Sequence, residues 1–210
     1  MNISTYFSYY SLFTIIGFIW TILALWLMFT LKGKELLSQP PLVLLIGAAL
    51  AITIWIVMSE IHTLTSIAGG LRPLDIQFFY GKVDIMEFGK ALGVEGRKNY
   101  MAFQLGQDSL APPAFCCFLM SFYRSFIRSQ RVQHICTGLA FVYIFSAFLA
   151  NNLMPLIIMY FPDDHGFFLT ILYSLVPALD AIKYSTNGIA WLLVISTLMF
   201  QIIVQSRLDS

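Results

Sequence analysis

The stretch Pro41–Thr65, PLVLLIGAALAITIWIVMSEIHTLT, decides the fold class. It holds no charge until Glu60, and at about 1.5 Å per helical residue it is long enough to cross the roughly 30 Å apolar core of a bilayer. Pro40-Pro41 marks its start and Gly69-Gly70 its end, the usual placing of proline and glycine around a helix. Around it the whole chain has the same character. Of its 210 residues 59% are hydrophobic and 11% charged, with mean hydropathy +0.79. A water-facing domain carries about 25% charge, so an ordinary soluble enzyme and a disordered protein are excluded. The net charge of +1 gives no basic field for nucleic acid. No run of alternating ten-residue strands occurs, which excludes a barrel.

Working outward, span 1 covers about Tyr6–Leu31 and ends at Lys32, Gly33 and Lys34. Residues 1–31 carry no charged side chain, so they read as a retained membrane segment and not as a cleaved leader. Residues 71–98 are polar, and within them Val83–Leu92 is predicted to form a short amphipathic helix. Ile85, Phe88 and Leu92 share one face, and Gly93 is its stop. A further helix starts near Val94. Span 3 is Tyr100–Tyr123, kinked at Pro112-Pro113. Span 4 is Gln133–Phe161. Phe167–Leu179, cut by Pro177, is predicted to lie along the surface as an interfacial or re-entrant helix, and span 5 is Lys183–Gln205. The expected fold is an all-α transmembrane bundle of about five spans plus a short amphipathic helix. Residues 1–38 form an extra span with its link, and 39–210 a four-span domain with the polar loop 70–98.

Lys32, Lys34, Arg124, Arg128, Arg131 and Arg207 fall on one side, against only Glu35 and Asp209. The positive-inside bias therefore places the N-terminus outside and the C-terminus inside. Counting depth from those faces brings Glu60, His62, Gln104, Gln107, Asp108, Asn151, Asn152 and Lys183, with Asn187, into one outer third. Gln104, Gln107 and Asp108 share a helix face at i, i+3, i+4. Intramembrane polar groups are costly and mark candidate sites. They also serve as interhelical packing groups. Lys183 is the expected counter-ion of Asp108. The histidines His62, His134 and His165 differ in depth and cannot form a haem pair. Cys116, Cys117 and Cys136 have no metal spacing and read as small packing residues.

The run Leu71-Arg72-Pro73-Leu74-Asp75, then Gly93-Val94-Glu95-Gly96-Arg97-Lys98-Asn99-Tyr100, then Asp108 followed by Pro112, resembles a poorly characterised family of small four-span membrane proteins of bacteria and protists. Its pattern is LGxxGRxxY, an Asp, then a Pro and an apolar span. Asn151 or Asn152, Tyr160-Phe161-Pro162 and Lys183 match its later positions. The likeness covers about residues 42–205 and implies that Arg97 and Asp108 are special, while bringing no activity with it.

No catalytic constellation and no metal site is evident. The expected function is a non-catalytic accessory subunit of a larger membrane complex of the energy-transducing, respiratory type, in the mitochondrial inner membrane or an equivalent. It would dock on other membrane subunits through Phe13–Ala24. One alternative is a small-solute or lipid carrier using the outer polar cluster. The other is a small membrane isomerase or lipid-modifying enzyme with Glu60, His62 and Asp108 as acid–base groups. Bound lipid is the one non-protein group this reading admits. Membrane lipids are partners and nucleic acid is not.

Overall fold

A computed structural model describes residues 12–30, 35, 39–127, 129–162 and 166–208. Lys32, Lys34, Arg128, Asp163, Asp164, His165 and Asp209, on which part of the topology reading rests, lie outside them. The described chain is all helical: α1 Leu12–Phe29, α2 Pro40–Ile67, α3 Lys82–Leu105, α4 Ala111–Phe126, α5 Gln130–Tyr160 and α6 Phe167–Leu208. Three of these are long and apolar enough to cross a membrane, over Pro41–Ile67, Gln130–Tyr160 and Phe167–Phe200, and Thr14–Phe29 is a shorter apolar helix. The chain is thus a polytopic helical bundle.

Local chemistry sets the helix ends of α2 and the start of α3. Gln39 is extended and Pro40-Pro41 occupy the first turn of α2, where their missing N–H groups would be orphans anyway. At the other end Gly69 and Gly70 take φ +65° and +95°, and the Gly70 N–H returns to the Thr65 carbonyl at 2.9 Å. The Gly81 N–H donates to the Asp84 carboxylate at 2.7 Å, which fixes the start of α3. Gly93 then bends α3 with φ +64° and ψ −173°, and the helix resumes at Val94. Ile85, Phe88 and Leu92 are buried on one face, as their spacing predicts.

Arg97 braces this bend. Its guanidinium donates to the Gly89 carbonyl at 3.0 Å and lies 4.6 Å over the Phe161 ring. The same ring closes on Gly89, where an added Cβ would meet it at 3.0 Å. One side chain therefore ties both halves of α3 to the end of α5.

Two expectations about proline are corrected. The expected kinked span Tyr100–Tyr123 is two helices. The chain breaks at Gly106, turns through the 3-10 segment Asp108–Leu110, and restarts with Pro112-Pro113 in the first turn of α4. The prolines begin a helix because that is where they cost least. The expected surface helix Phe167–Leu179 is instead the first part of one continuous helix running through Pro177 to Leu208. A proline removes one backbone bond and crowds the carbonyl four residues before it; the turns on either side of Pro177 stay helical.

The apolar interior has two storeys. The upper one packs the end of α2 (Leu64), α3 (Phe88, Tyr100), the end of α5 (Met154, Ile157) and the start of α6 (Leu172, Val176). The lower one packs α1 (Ala24, Met28), the start of α2 (Leu50), α4 (Leu119, Tyr123), α5 (Ala140, Ile144) and α6 (Ala190, Val194). The short helix α4 sits centrally, against α1, α2, α5 and α6. Cys116, Cys117 and Cys136 are free, buried and part of the lower core, in line with their reading as packing residues.

Span 1 is expected to dock on other membrane subunits through Phe13–Ala24. Two of its small residues, Gly17 and Ala24, pack within this chain. A Cβ on Gly17 would stand 2.5 Å from the Ser109 hydroxyl, and Ala24 is fully buried. Phe18 meets Phe148 edge-on at 5.6 Å. The face left open carries Ile15, Ile16, Ile19, Ile22, Leu23 and Trp26.

Candidate functional site

Along the chain, polar residues fall where one storey gives way to the other. On the α3–α4 connection Asp108 lies between Leu105 above and Ala114 below. On α6, Lys183 lies between Leu179 and Ala190, and on α5 Asn151 adjoins the lower edge of the upper storey. Asp75 and Tyr80, from the connection between α2 and α3, roof the group. Asp75, Gln104, Asp108, Asn151, Asp180 and Lys183 are all buried.

The contacts form one network. Lys183 Nζ pairs with Asp180 at 2.8 Å and lies 5.2 Å from the centre of the Tyr184 ring. The Tyr80 hydroxyl donates to the other Asp180 oxygen, and Gln104 Nε2 donates to Asp75 Oδ1. Asn151 is a hydrogen-bond partner of Asp108, whose charge also faces Lys183 and Asp180. The Tyr100 ring stacks on Phe103 and meets Phe88 edge-on, which directs its hydroxyl toward Asp75. Burial and the adjacent Asp180 charge push the Tyr80 phenol up, so it stays a donor.

The Asp75 carboxyl is pushed up to about 7 by burial first and the Asp108 charge second, against the pull of Lys183. The folded protein therefore holds a proton that the unfolded chain releases near the ordinary value of 3.8. The associated stability is full below that value and is lost as pH rises to about 7. Thermal unfolding of the purified protein in detergent should show a midpoint that falls across this window. Asp75→Asn should flatten the fall, and an unchanged slope in that variant would contradict the assignment.

The residues singled out by depth divide. Gln104, Asp108, Asn151 and Lys183 come together in the network. Glu60 and Gln107 leave it for a separate side cleft between α2 and α3, which Asn99 and Thr63 share. His62 is exposed. Arg97 is spent on the bend. Asn152 donates to the Phe148 carbonyl at 2.8 Å and, with Asn151, lines a narrow cleft between α1 and the bundle. Lys183 has Asp180 as its near partner, where Asp108 was expected, because α6 begins well before Lys183 and carries Asp180 one turn earlier. Asp75, Tyr80, Tyr100 and Asp180 were not among the expected site residues. The Asp180–Lys183 spacing of i, i+3 was a readable signal, and Asp75 closes the Leu71–Asp75 motif. Tyr80 offers no sequence signal.

The network is short of donors. Three carboxyl groups, of which Asp75 keeps its proton up to about pH 7, face one ammonium. Gln104 Oε1 and Asn151 Oδ1 are buried without a hydrogen-bond partner, and Asp75 Oδ2 has none closer than the Tyr100 hydroxyl turned toward it. Buried polar atoms are normally satisfied. Among the described residues no group of three or more His, Cys, Asp and Glu could hold a metal ion.

Fold and site define a polytopic helical membrane protein with an acceptor-rich charged network enclosed between two apolar cores. No protein family, no curated protein and no solved structure matches the chain.

Proposed function

We propose that this chain is a membrane binding or carrier protein that takes a small cation or a protonated amine into the buried network. One observation carries the reading: Gln104 Oε1 and Asn151 Oδ1 are buried acceptors without a partner, beside three carboxyl groups that share the single ammonium of Lys183. A network built only for packing gains most when each member is paired, since unpaired buried charge costs several kcal/mol. A cationic guest supplies both the charge and the donors that the network lacks. The narrow cleft between α1 and the bundle supports the same reading. Its walls are Thr14, Gly17, Phe18 and Phe148, and Asn151 stands on its lining. On this reading the seam between α1 and the bundle is the way in.

The test is isothermal titration of the detergent-purified full chain with ammonium chloride, n-butylammonium chloride, sodium chloride and neutral n-butanol. At least one cation should bind saturably while n-butanol does not, and Asp108→Asn should weaken that binding at least tenfold. Equal response to all four probes, or to none, overturns the proposal.

An accessory role in a larger assembly ranks second. Its support is the open face of α1, where Ile15, Ile19, Ile22 and Trp26 are exposed. The part of Phe13–Ala24 left for a partner is thus the bulky face, and lipid fits that face equally well.

A further inference from the structure

A second site lies at the opposite end of the bundle, where α1 and α4 end and α5 begins. A cleft of about 350 Å³ opens there, within the size range of small-molecule sites. Met28 and Phe29 form its apolar wall, and Arg124, Gln130, His134 and Thr137 line it with polar groups. Among the described residues no carboxylate lines it.

Three of the five polar side chains in this cleft already hold a backbone carbonyl, and among the described lining residues the one fixed charge, Arg124, is positive. Thr137 donates to the Gln133 carbonyl at 2.7 Å, and Gln133 Nε2 donates to the Ile127 carbonyl at 2.5 Å. His134 Nδ1 stands 2.7 Å from the Gln130 carbonyl, so that nitrogen carries the hydrogen. Arg124 is different. Its Nε is buried and has no hydrogen-bond partner. A guanidinium fixed beside an apolar wall, with a donor unspent, calls for an oxyanion that arrives with apolar material attached. Planar guanidinium groups match phosphate oxygens better than any other side chain does. Arg124 also belongs to the basic face of the bundle, where anionic headgroups gather.

We propose that this cleft binds the phosphate of an anionic phospholipid, with Arg124 as its charge partner and the Met28–Phe29 wall beneath the glycerol–acyl junction. The site is independent of the buried network.

The test uses the full chain in mixed micelles, with thermal unfolding and retained lipid after gel filtration as readouts. The probes are dioleoyl phosphatidylglycerol, dioleoylglycerol, which lacks the phosphate, and inorganic phosphate. Phosphatidylglycerol should raise the unfolding temperature and stay bound at about one per chain, and dioleoylglycerol should do neither. Arg124→Gln should weaken phosphatidylglycerol binding at least tenfold. Arg72→Gln removes the same charge from an exposed loop, and should leave binding unchanged. Equal retention of dioleoylglycerol overturns the phosphate contact. Inorganic phosphate binding as tightly as the lipid overturns the apolar half of the site. Equal losses from Arg124→Gln and Arg72→Gln reduce the effect to bulk charge and also overturn the proposal. The comparison of the three probes on the unaltered chain decides the matter even if Arg124→Gln fails to fold.

Discussion

Replacing Lys183 with methionine is expected to destabilise the protein by about 3–5 kcal/mol, the usual cost of breaking a buried ion pair from one side. Methionine keeps the length and volume of the side chain, so little of the loss comes from packing. What it removes is the one cation facing Asp75, Asp108 and Asp180. Asp180 then stays buried with only the Tyr80 hydroxyl as a donor. Adding Asp180→Asn to Lys183→Met should restore a large part of the loss, because the amide still accepts from Tyr80 and needs no counter-charge. Unfolding in mixed micelles of the two single variants and the double variant measures this coupling. A loss below about 1 kcal/mol for Lys183→Met would show that the network is solvated and that the pair at 2.8 Å carries little weight.

Gly93→Ala is the second large effect, and its cause is purely backbone. At φ +64° and ψ −173° the residue occupies a region that is essentially closed to side chains, with a cost of about 1–3 kcal/mol. Nothing lies within 4 Å of the added Cβ. Gly93→Ser should therefore cost the same as Gly93→Ala. Gly96→Ala is the contrast. There a Cβ would meet Ile67 Cγ2 at 2.8 Å in an ordinary helical backbone, so the cost is steric and should be relieved by Ile67→Ala, which removes that methyl. Thermal unfolding of these variants separates the two mechanisms. Relief of Gly93→Ala by Ile67→Ala would contradict the description of the bend.

The legible parts of the fold were those settled by local backbone chemistry. Pro40-Pro41 and Gly69-Gly70 bound α2, and Gly93 bends α3, because each position demands a conformation that few residues supply. Pro112-Pro113 and Pro177 were misread in opposite directions for one reason. A proline in an apolar run is compatible with a helix start, a kink or an uninterrupted helix, and neighbouring helices make the choice. For Pro112 the choice follows Gly106 and the turn at Asp108–Leu110, into which Gly17 of α1 is pressed. Depth counting recovered Gln104, Asp108, Asn151 and Lys183, since helices rise by a fixed amount per residue. It also gathered Glu60 and Gln107, which line a separate cleft, because depth says nothing about which way a side chain points. Asp180 was lost when a break was set between it and Lys183. Asp75 and Tyr80 arrive from a connection whose path no periodicity encodes.

The pairing of Asp180 with Lys183 lies within a single helix, and this bears on how the protein is made. A charged side chain at the centre of a nascent membrane helix raises the cost of insertion by about 2.5–3.5 kcal/mol. With acid and base one turn apart, α6 can leave the insertion machinery with these charges already neutralised against each other, before any other helix has arrived. Asp108 has no such companion on its own segment, and its nearest basic group in the network belongs to α6, which is synthesised last. The ribosome therefore delivers the acid of the central turn well ahead of its counter-charge. Until then that turn has to wait at the water interface, protonated, or in the care of another protein, so the final helix sets the moment at which the bundle can close.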